Sequence, residues 1–186
     1  MMNQHTISVF VEGTPNPDSL KFVLNKMILP NDSADFRSKS DASNSPLALA
    51  LFAYSDVDGI FIMNNFVSVT KKTSSDWQEL APVIKEAVKN LVESGIEIVS
   101  QSHSLSDEEE SEVVMKIKQL LDDHVKPAVE MDGGAISFKS FHDGVVTVVM
   151  KGSCSGCPSS TFTLKAGIES LLKRIVPEVR AVEAEI

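Results

Sequence analysis

The 186-residue sequence is short of cysteine, with only Cys154 and Cys157. Two cysteines form at most one disulfide, which excludes a disulfide-stapled secreted scaffold. They also exclude a metal site made of four thiolates from one chain. A chain of this length buries enough apolar surface to fold without such links, as one large domain or two small ones.

Long apolar segments and an excess of positive charge are missing too. The longest apolar stretch, around residues 47–53, is far shorter than the roughly 20 residues that span a bilayer. The net charge of −9 argues against nucleic-acid binding, which depends on Lys and Arg at phosphates. The first residues resemble neither a signal peptide nor a transit peptide. We therefore expect a soluble, cytoplasmic protein with no membrane and no nucleic-acid partner.

Apolar periodicity divides the chain into two α/β halves. In the first half, alternation and turn residues predict strands at residues 6–11 and 20–25, and a hairpin of residues 60–63 and 66–70 around Asn64 and Asn65. Ser45 and Pro46 predict the start of a short helix through Phe52. The polar residues 31–45 predict a mobile loop.

A longer helix is expected later in the first half. Ser75 and Gln78 form a capping-box pattern at its start, Pro82 predicts a kink or the true start, and Gly95 suits its end. The first half carries no catalytic constellation.

The second half begins after a polar, acidic segment. Ser106 and Glu109 form another capping-box pattern, which predicts a helix that reaches about Val125 and is ended or bent by Pro127. A hairpin is expected next, with strands at residues 135–141 and 145–150, of which the second is expected to be central in its sheet. A helix at residues 164–175 and a last strand at residues 179–185 follow. The predicted fold class is α/β (α+β): domains at 1–99 and 107–186, joined by a linker at 100–106, each with a short antiparallel or mixed sheet packed against helices.

The two cysteines lie at the predicted junction between the central strand and the following helix. A helix N-terminus stabilises a thiolate through its unpaired N–H groups and its dipole. Gly152 and Gly156 let the backbone approach a bulky ligand, and the neighbouring serines can donate hydrogen bonds to sulfur. This pattern predicts that Cys154 and Cys157 bind a metal or act as a redox pair.

The CxxC spacing alone leaves several functions open. Buried structural thiols are disfavoured by the surrounding Gly and Ser residues. A thioredoxin-like redox pair has the expected strand–helix context, but only 29 residues follow Cys157 (186 − 157 = 29), too few for the rest of that fold. A zinc site needs four nitrogen or sulfur ligands, and His124 and His142 are the candidates, although His142 is expected at the far end of its strand.

The second half resembles a known family. Its segments KPAVEMDGG, GSCSGCPSSTFTLKAGIESLL and VPEV, within residues 126–183, resemble the C-terminal domain of NifU, a family of iron–sulfur cluster scaffolds and carriers. In the first half, TPNPDSLKFVLN and SPLALALFAYSDVDGIFIMNNFVSVTK resemble the N-terminal domain of Nfu-type proteins. Two positions depart from the family pattern: Ala135 replaces a usual acidic residue, and Phe162 replaces a smaller aliphatic one.

The resemblance implies an iron–sulfur cluster carrier rather than an enzyme. It implies that Cys154 and Cys157 ligate a 4Fe–4S cluster, received from an assembly donor and delivered to apo-proteins. Because such a cluster usually takes four thiolates, two chains would share it as a homodimer when loaded. The alternative is a thiol–disulfide oxidoreductase that uses the same two cysteines.

Overall fold

The chain divides into two compact units, residues 1–102 and 103–186. The computed structural model describes residues 6–100, 111–155 and 158–185, with only the backbone of residues 158–160. Apart from Ser100, the predicted linker at 100–106 lies outside the described residues, so it stays a prediction. The N–H of Ser100 donates to the carbonyl of Asn44 at 2.7 Å, which ties Ser100 to the first unit.

The first unit is a five-stranded antiparallel sheet with helices. Its strands are β1 (Val9–Gly13), β2 (Ser19–Leu24), β3 (Leu29–Phe36), β4 (Val57–Asn64) and β5 (Phe66–Lys71), in the order β1-β2-β5-β4-β3. The predicted hairpin between β4 and β5 is confirmed, with Asn64 at a φ of 47°. Its core packs the sheet against α1 (Pro46–Leu51) and α2 (Trp77–Glu93).

The predicted loop at residues 31–45 is wrong. Residues 29–36 form β3, and Asp41–Asn44 form a 3-10 helix. β3 is an edge strand with a bulge between Leu29 and Ser33, and only its last residue, Phe36, is fully buried. An edge strand with so little core contact shows no apolar alternation, so its sequence resembles a loop.

The helix ends of the first unit follow local capping rules. The Ala48 N–H donates to Ser45 Oγ at 3.1 Å, as predicted for α1. In α2 the N-cap is Asp76, not Ser75: the Gln78 N–H donates to the Asp76 carboxylate at 2.8 Å. Ser75 instead donates to the Asp56 carboxylate at 2.6 Å.

Two further predictions concern Pro82 and the end of α2. Pro82 lies inside the helix and does not mark its start. The helix ends in a Schellman motif, in which Gly95 has a φ of +73° and Ile96 donates to the Leu91 carbonyl at 3.3 Å.

The second unit is a three-stranded mixed sheet packed against helices. Its elements are α3 (Glu112–Leu120), a π-helical turn (Leu121–Val125), α4 (Lys126–Met131), β6 (Gly134–His142), β7 (Val145–Gly152), α5 (Pro158–Ile175) and β8 (Ala181–Glu185). The central strand is β7, antiparallel to β6 and parallel to β8, as its apolar sequence predicted. The β6–β7 turn is confirmed, with Asp143 and Gly144 at positive φ. The two units together show the predicted mixed α/β class.

The first helix of the second unit begins at Glu112 with Ser111 as its N-cap. The predicted capping box at Ser106 and Glu109 lies outside the described residues, so it stays a prediction. Of the two effects predicted for Pro127, an end of the helix is wrong, because the helical path continues to Met131. The π-helical turn lies just before Pro127, where a regular helix would need the N–H that proline lacks.

Candidate metal centre

Cys154 lies at the junction between the central strand and the last helix. β7 ends at Gly152, which has a φ of +68°; Ser153–Ser155 form a 3-10 turn, and α5 begins at Pro158. The predicted strand–helix context of Cys154 is therefore confirmed. Cys157 lies outside the described residues, so its place in the site stays a prediction.

One set of hydrogen bonds joins the cysteine turn to the segment before β6. The Ser153 hydroxyl donates to the Asp132 carbonyl, and the Ser153 N–H donates to the Gly133 carbonyl at 3.3 Å. Gly133 has a φ of +79°, which glycine adopts without strain. The turn at Gly133 therefore holds the residue that precedes Cys154.

Two further hydrogen bonds stabilise the cysteine turn, one from α5 and one within the turn. The Thr161 hydroxyl, in the first turns of α5, donates to the Cys154 carbonyl at 3.0 Å. The Ser155 hydroxyl donates to the Gly152 carbonyl at 2.8 Å. The backbone of Cys154 is thus attached to α5 as well as to β7. The contact of Thr161 with Cys154 could not be predicted, because nothing in the spacing of the sequence indicates this partner.

Gly134 passes directly beside the cysteine sulfur. A Cβ atom at this position would lie 2.8 Å from Cys154 Sγ and 2.6 Å from the Lys151 carbonyl oxygen. Both separations are shorter than non-bonded atoms tolerate, so only glycine fits. Gly134 therefore makes room for the thiol.

The Cys154 thiol is buried, although its Gly and Ser neighbours were expected to disfavour burial. Cys154 is 7% exposed and belongs to the apolar core of the second unit. Burial raises the pKa of the thiol to about 11; a hydrogen bond with Ser153 opposes this rise, and the negative charge of Asp132 adds to it. The expectation failed because residues distant in sequence form the apolar core that encloses the sulfur. The Gly and Ser residues next to Cys154 in the sequence do not indicate that core.

The histidines considered as zinc ligands lie elsewhere. His142 pairs with Val145 at one end of the β6–β7 hairpin, whereas Gly134 pairs with Gly152 at the end that carries Cys154. His124 lies in the π-helical turn. Within residues 6–100, 111–155 and 158–185, no three His, Cys, Asp or Glu side chains are grouped to hold a metal ion. Within the same ranges, no helix has the length and apolar character needed to cross a membrane.

The two departures from the family pattern have different surroundings. Ala135 is 8% exposed at the start of β6, where a charged side chain would have to leave the buried layer. Phe162, in α5, is 74% exposed. Ala135 therefore lies in the packed interior of the second unit, whereas Phe162 lies on its surface.

Comparison with known proteins agrees with this architecture. The family model described as "Scaffold protein Nfu/NifU N terminal" matches residues 9–95, and the model described as "NifU-like domain" matches residues 117–183. A human protein named "NFU1 iron-sulfur cluster scaffold homolog, mitochondrial" is 41% identical over 176 residues, covering 92% of this chain and 69% of that protein. The chain belongs to the Nfu family of NifU-like proteins.

A second relative of this Nfu-family chain carries the same printed name. A Drosophila willistoni protein with the same printed name is 37% identical and is covered over 65% of its length, with 98% of this chain matched. The chain thus spans about two thirds of the length of these relatives. A solution structure of a NifU-like protein from Saccharomyces cerevisiae is 23% identical with a TM-score of 0.48, covering 55% of this chain and 92% of that one.

Proposed function

We propose that this Nfu-family chain is an iron–sulfur cluster scaffold and carrier, and not an enzyme. Cys154 and Cys157 bind a 4Fe–4S cluster, which is the cargo, and the loaded protein delivers it to apo-proteins after receiving it from an assembly donor. Relatives named as iron–sulfur cluster scaffolds support the general role. The observation that carries the proposal is the cysteine turn, whose backbone is hydrogen-bonded to Gly133 before β6 and to Thr161 of α5.

The number of ligands supports a shared cluster. A 4Fe–4S cluster usually takes four thiolates, and the chain contains two cysteines. Two copies related by a two-fold axis through the cluster supply four. A cluster held between two chains is released by separating them, which suits a carrier.

The buried thiol is compatible with loading. A thiol whose pKa is about 11 keeps its proton at neutral pH, and a bound metal ion removes that proton by its own charge. The bare thiol is a weak nucleophile, since the thiolate is the reactive form. This disfavours the alternative in which Cys154 acts in a thiol–disulfide oxidoreductase.

Anaerobic reconstitution with iron and sulfide tests the proposal. We expect the wild-type protein to bind four irons per two chains and to sediment as a dimer, and Cys154→Ser and Cys157→Ser to lose the cluster. Ser170→Ala is the control: it lies at an exposed position of α5 and leaves both sulfurs and the hydrogen bonds of the cysteine turn intact, so it should retain cluster. A loaded monomer with four irons per chain would contradict the shared site.

Delivery needs a separate experiment. The loaded protein is mixed with an apo-enzyme that requires a 4Fe–4S cluster, in the presence of a chelator that captures free iron. Activity of the apo-enzyme should rise as the absorbance of the carrier falls, faster than with free iron and sulfide. An insulin-reduction assay tests the oxidoreductase alternative, and turnover by the metal-free protein would favour it over the carrier.

The cytoplasmic location stays a prediction. The printed names of the human and fruit-fly relatives contain the word mitochondrial, which describes those proteins. Fractionation of the source cells, with an antibody against the chain, decides whether the protein lies in the cytoplasm.

A further inference from the structure

Two large apolar side chains of the second unit are unusually exposed. Met131 and Phe162 are each 74% exposed, and the next most exposed large apolar residue described in this unit is Met115, at 51%. Single exposed apolar side chains are common on protein surfaces, so exposure alone does not indicate a binding surface. The positions of Met131 and Phe162 in the fold distinguish them from Met115.

Both residues adjoin a residue that is bonded to the cysteine turn. Met131 ends α4 and is followed by Asp132, whose carbonyl accepts the hydrogen bond from Ser153. Phe162 follows Thr161, whose hydroxyl donates to the Cys154 carbonyl. Met131 and Phe162 therefore flank the turn that carries Cys154, one on α4 and one on α5. We call these two side chains the apolar rim.

We propose that the apolar rim contacts a second copy of this chain around the shared cluster. The inference rests on the proposed function, because the two cysteines of one chain require a second copy at this turn. With the two-fold axis passing through the cluster, side chains that flank the turn lie near the axis and meet the same surface of the other copy.

The apolar character of the rim suits contact with a second copy of the same chain. A two-fold contact brings each surface against its own copy, so a charged rim would face like charges, whereas Met and Phe pack against each other without repulsion. The cluster separates the two turns, so long side chains beyond the turn are those able to meet across the gap. Their burial also removes water from the surroundings of the cluster, which slows its loss.

The test compares neutral polar variants of matched residues. The double variant Met131→Gln with Phe162→Gln changes the rim without adding charge near the cluster, and Met115→Gln is the control. Met115 lies sixteen residues before Met131 along the α3–α4 helical path, a path length of roughly 24 Å at 1.5 Å per residue. Phe162→Leu keeps the rim apolar and should behave as the wild type.

Sedimentation of the reconstituted proteins over a concentration series gives the dimer dissociation constant. We expect the rim double variant to raise this constant by at least about tenfold, since each dimer loses the burial of four apolar side chains. Circular dichroism and urea unfolding of the metal-free proteins should not change. Met115→Gln should match the wild type.

The outcomes separate the two proposals. If the wild type loads as a dimer and the rim double variant dimerises equally tightly, the rim does not contact a second copy and the proposed function stands. If that variant dimerises normally but delivers its cluster more slowly, the rim binds the client instead, which also overturns the inference. If the wild type binds no cluster, the proposed function itself fails.

Discussion

Replacing Gly134 by Ala should damage the cysteine site by a steric effect. The added Cβ would lie 2.6 Å from the Lys151 carbonyl oxygen and 2.8 Å from Cys154 Sγ. The carbonyl belongs to β7, paired with β6 on either side of this point, so it cannot move without disturbing the sheet. The sulfur is buried in the core and has little free space. Overpacking of this kind lowers the free energy of unfolding by about 1–3 kcal/mol.

Gly167 provides the matched control for Gly134. It lies inside α5, and a Cβ there would meet nothing within 4 Å. Gly167→Ala should therefore stabilise the same unit by about 0.5–1 kcal/mol, because alanine favours a helix over glycine. The two substitutions add the same methyl group to one unit and are expected to have opposite effects.

The assay can follow each unit separately. The single Trp and the single Tyr of the chain, Trp77 and Tyr54, both lie in the first unit. Fluorescence of Trp77 in a urea titration therefore reports on the first unit and should not respond to either substitution. Methyl NMR signals of Val146 and Val148, buried in the second unit, should lose intensity at lower urea in Gly134→Ala. The steric reasoning is refuted if Gly134→Ala unfolds with the wild type and loads cluster equally well.

Four further predictions follow from local contacts. Thr161→Val removes the hydrogen bond to Cys154 and should release cluster to a chelator about fivefold faster, whereas Thr161→Ser should behave as the wild type. Asp76→Ala removes the N-cap of α2 and should lower the stability of the first unit by about 1 kcal/mol in Trp77-monitored unfolding, more than Ser75→Ala does. Burial raises the pKa of Cys154 from 9.0 to about 11. The metal-free second unit should therefore be most stable below pH 9 and lose stability towards pH 11. Urea unfolding at pH 8 and at pH 10 should show this loss in the wild type but not in Cys154→Ala. Limited proteolysis should cut within residues 100–106 and leave two protected fragments; resistance there would contradict the predicted linker.

Features set by neighbouring residues could be predicted from the sequence. The turns at Asn64 and at Asp143–Gly144 use residue types that tolerate positive φ, and the end of α2 at Gly95 does the same. The central position of β7 follows from valines on both of its faces. In each case the pattern and its cause lie within a few residues.

Features set by distant residues could not be predicted. Ser75 and Asp76 are both good N-cap types, and Asp56, nineteen residues before Ser75, binds the Ser75 hydroxyl and leaves the cap to Asp76. β3 carries polar residues because it lies at a sheet edge, a position that only the complete sheet defines. The burial of Cys154 likewise depends on core residues from other elements.

Burial of Cys154 connects the stability of the empty carrier with the exchange of its cargo. The core around the thiol contains residues from the helices and all three strands of the second unit, including Ile117, Leu121, Val129, Val146, Val148, Ile168, Leu172 and Val182. Each fully buried side chain of this kind contributes about 1.5–3 kcal/mol, so the unit keeps its fold without a cluster. The empty thiol stays protonated at neutral pH, which protects it from oxidation. Loading must then release that proton, so under the proposed function a fall in pH favours departure of the cluster. Titration of cluster release to a chelator between pH 6 and pH 9 should show slower release as the pH rises, and release that is independent of pH would contradict this coupling.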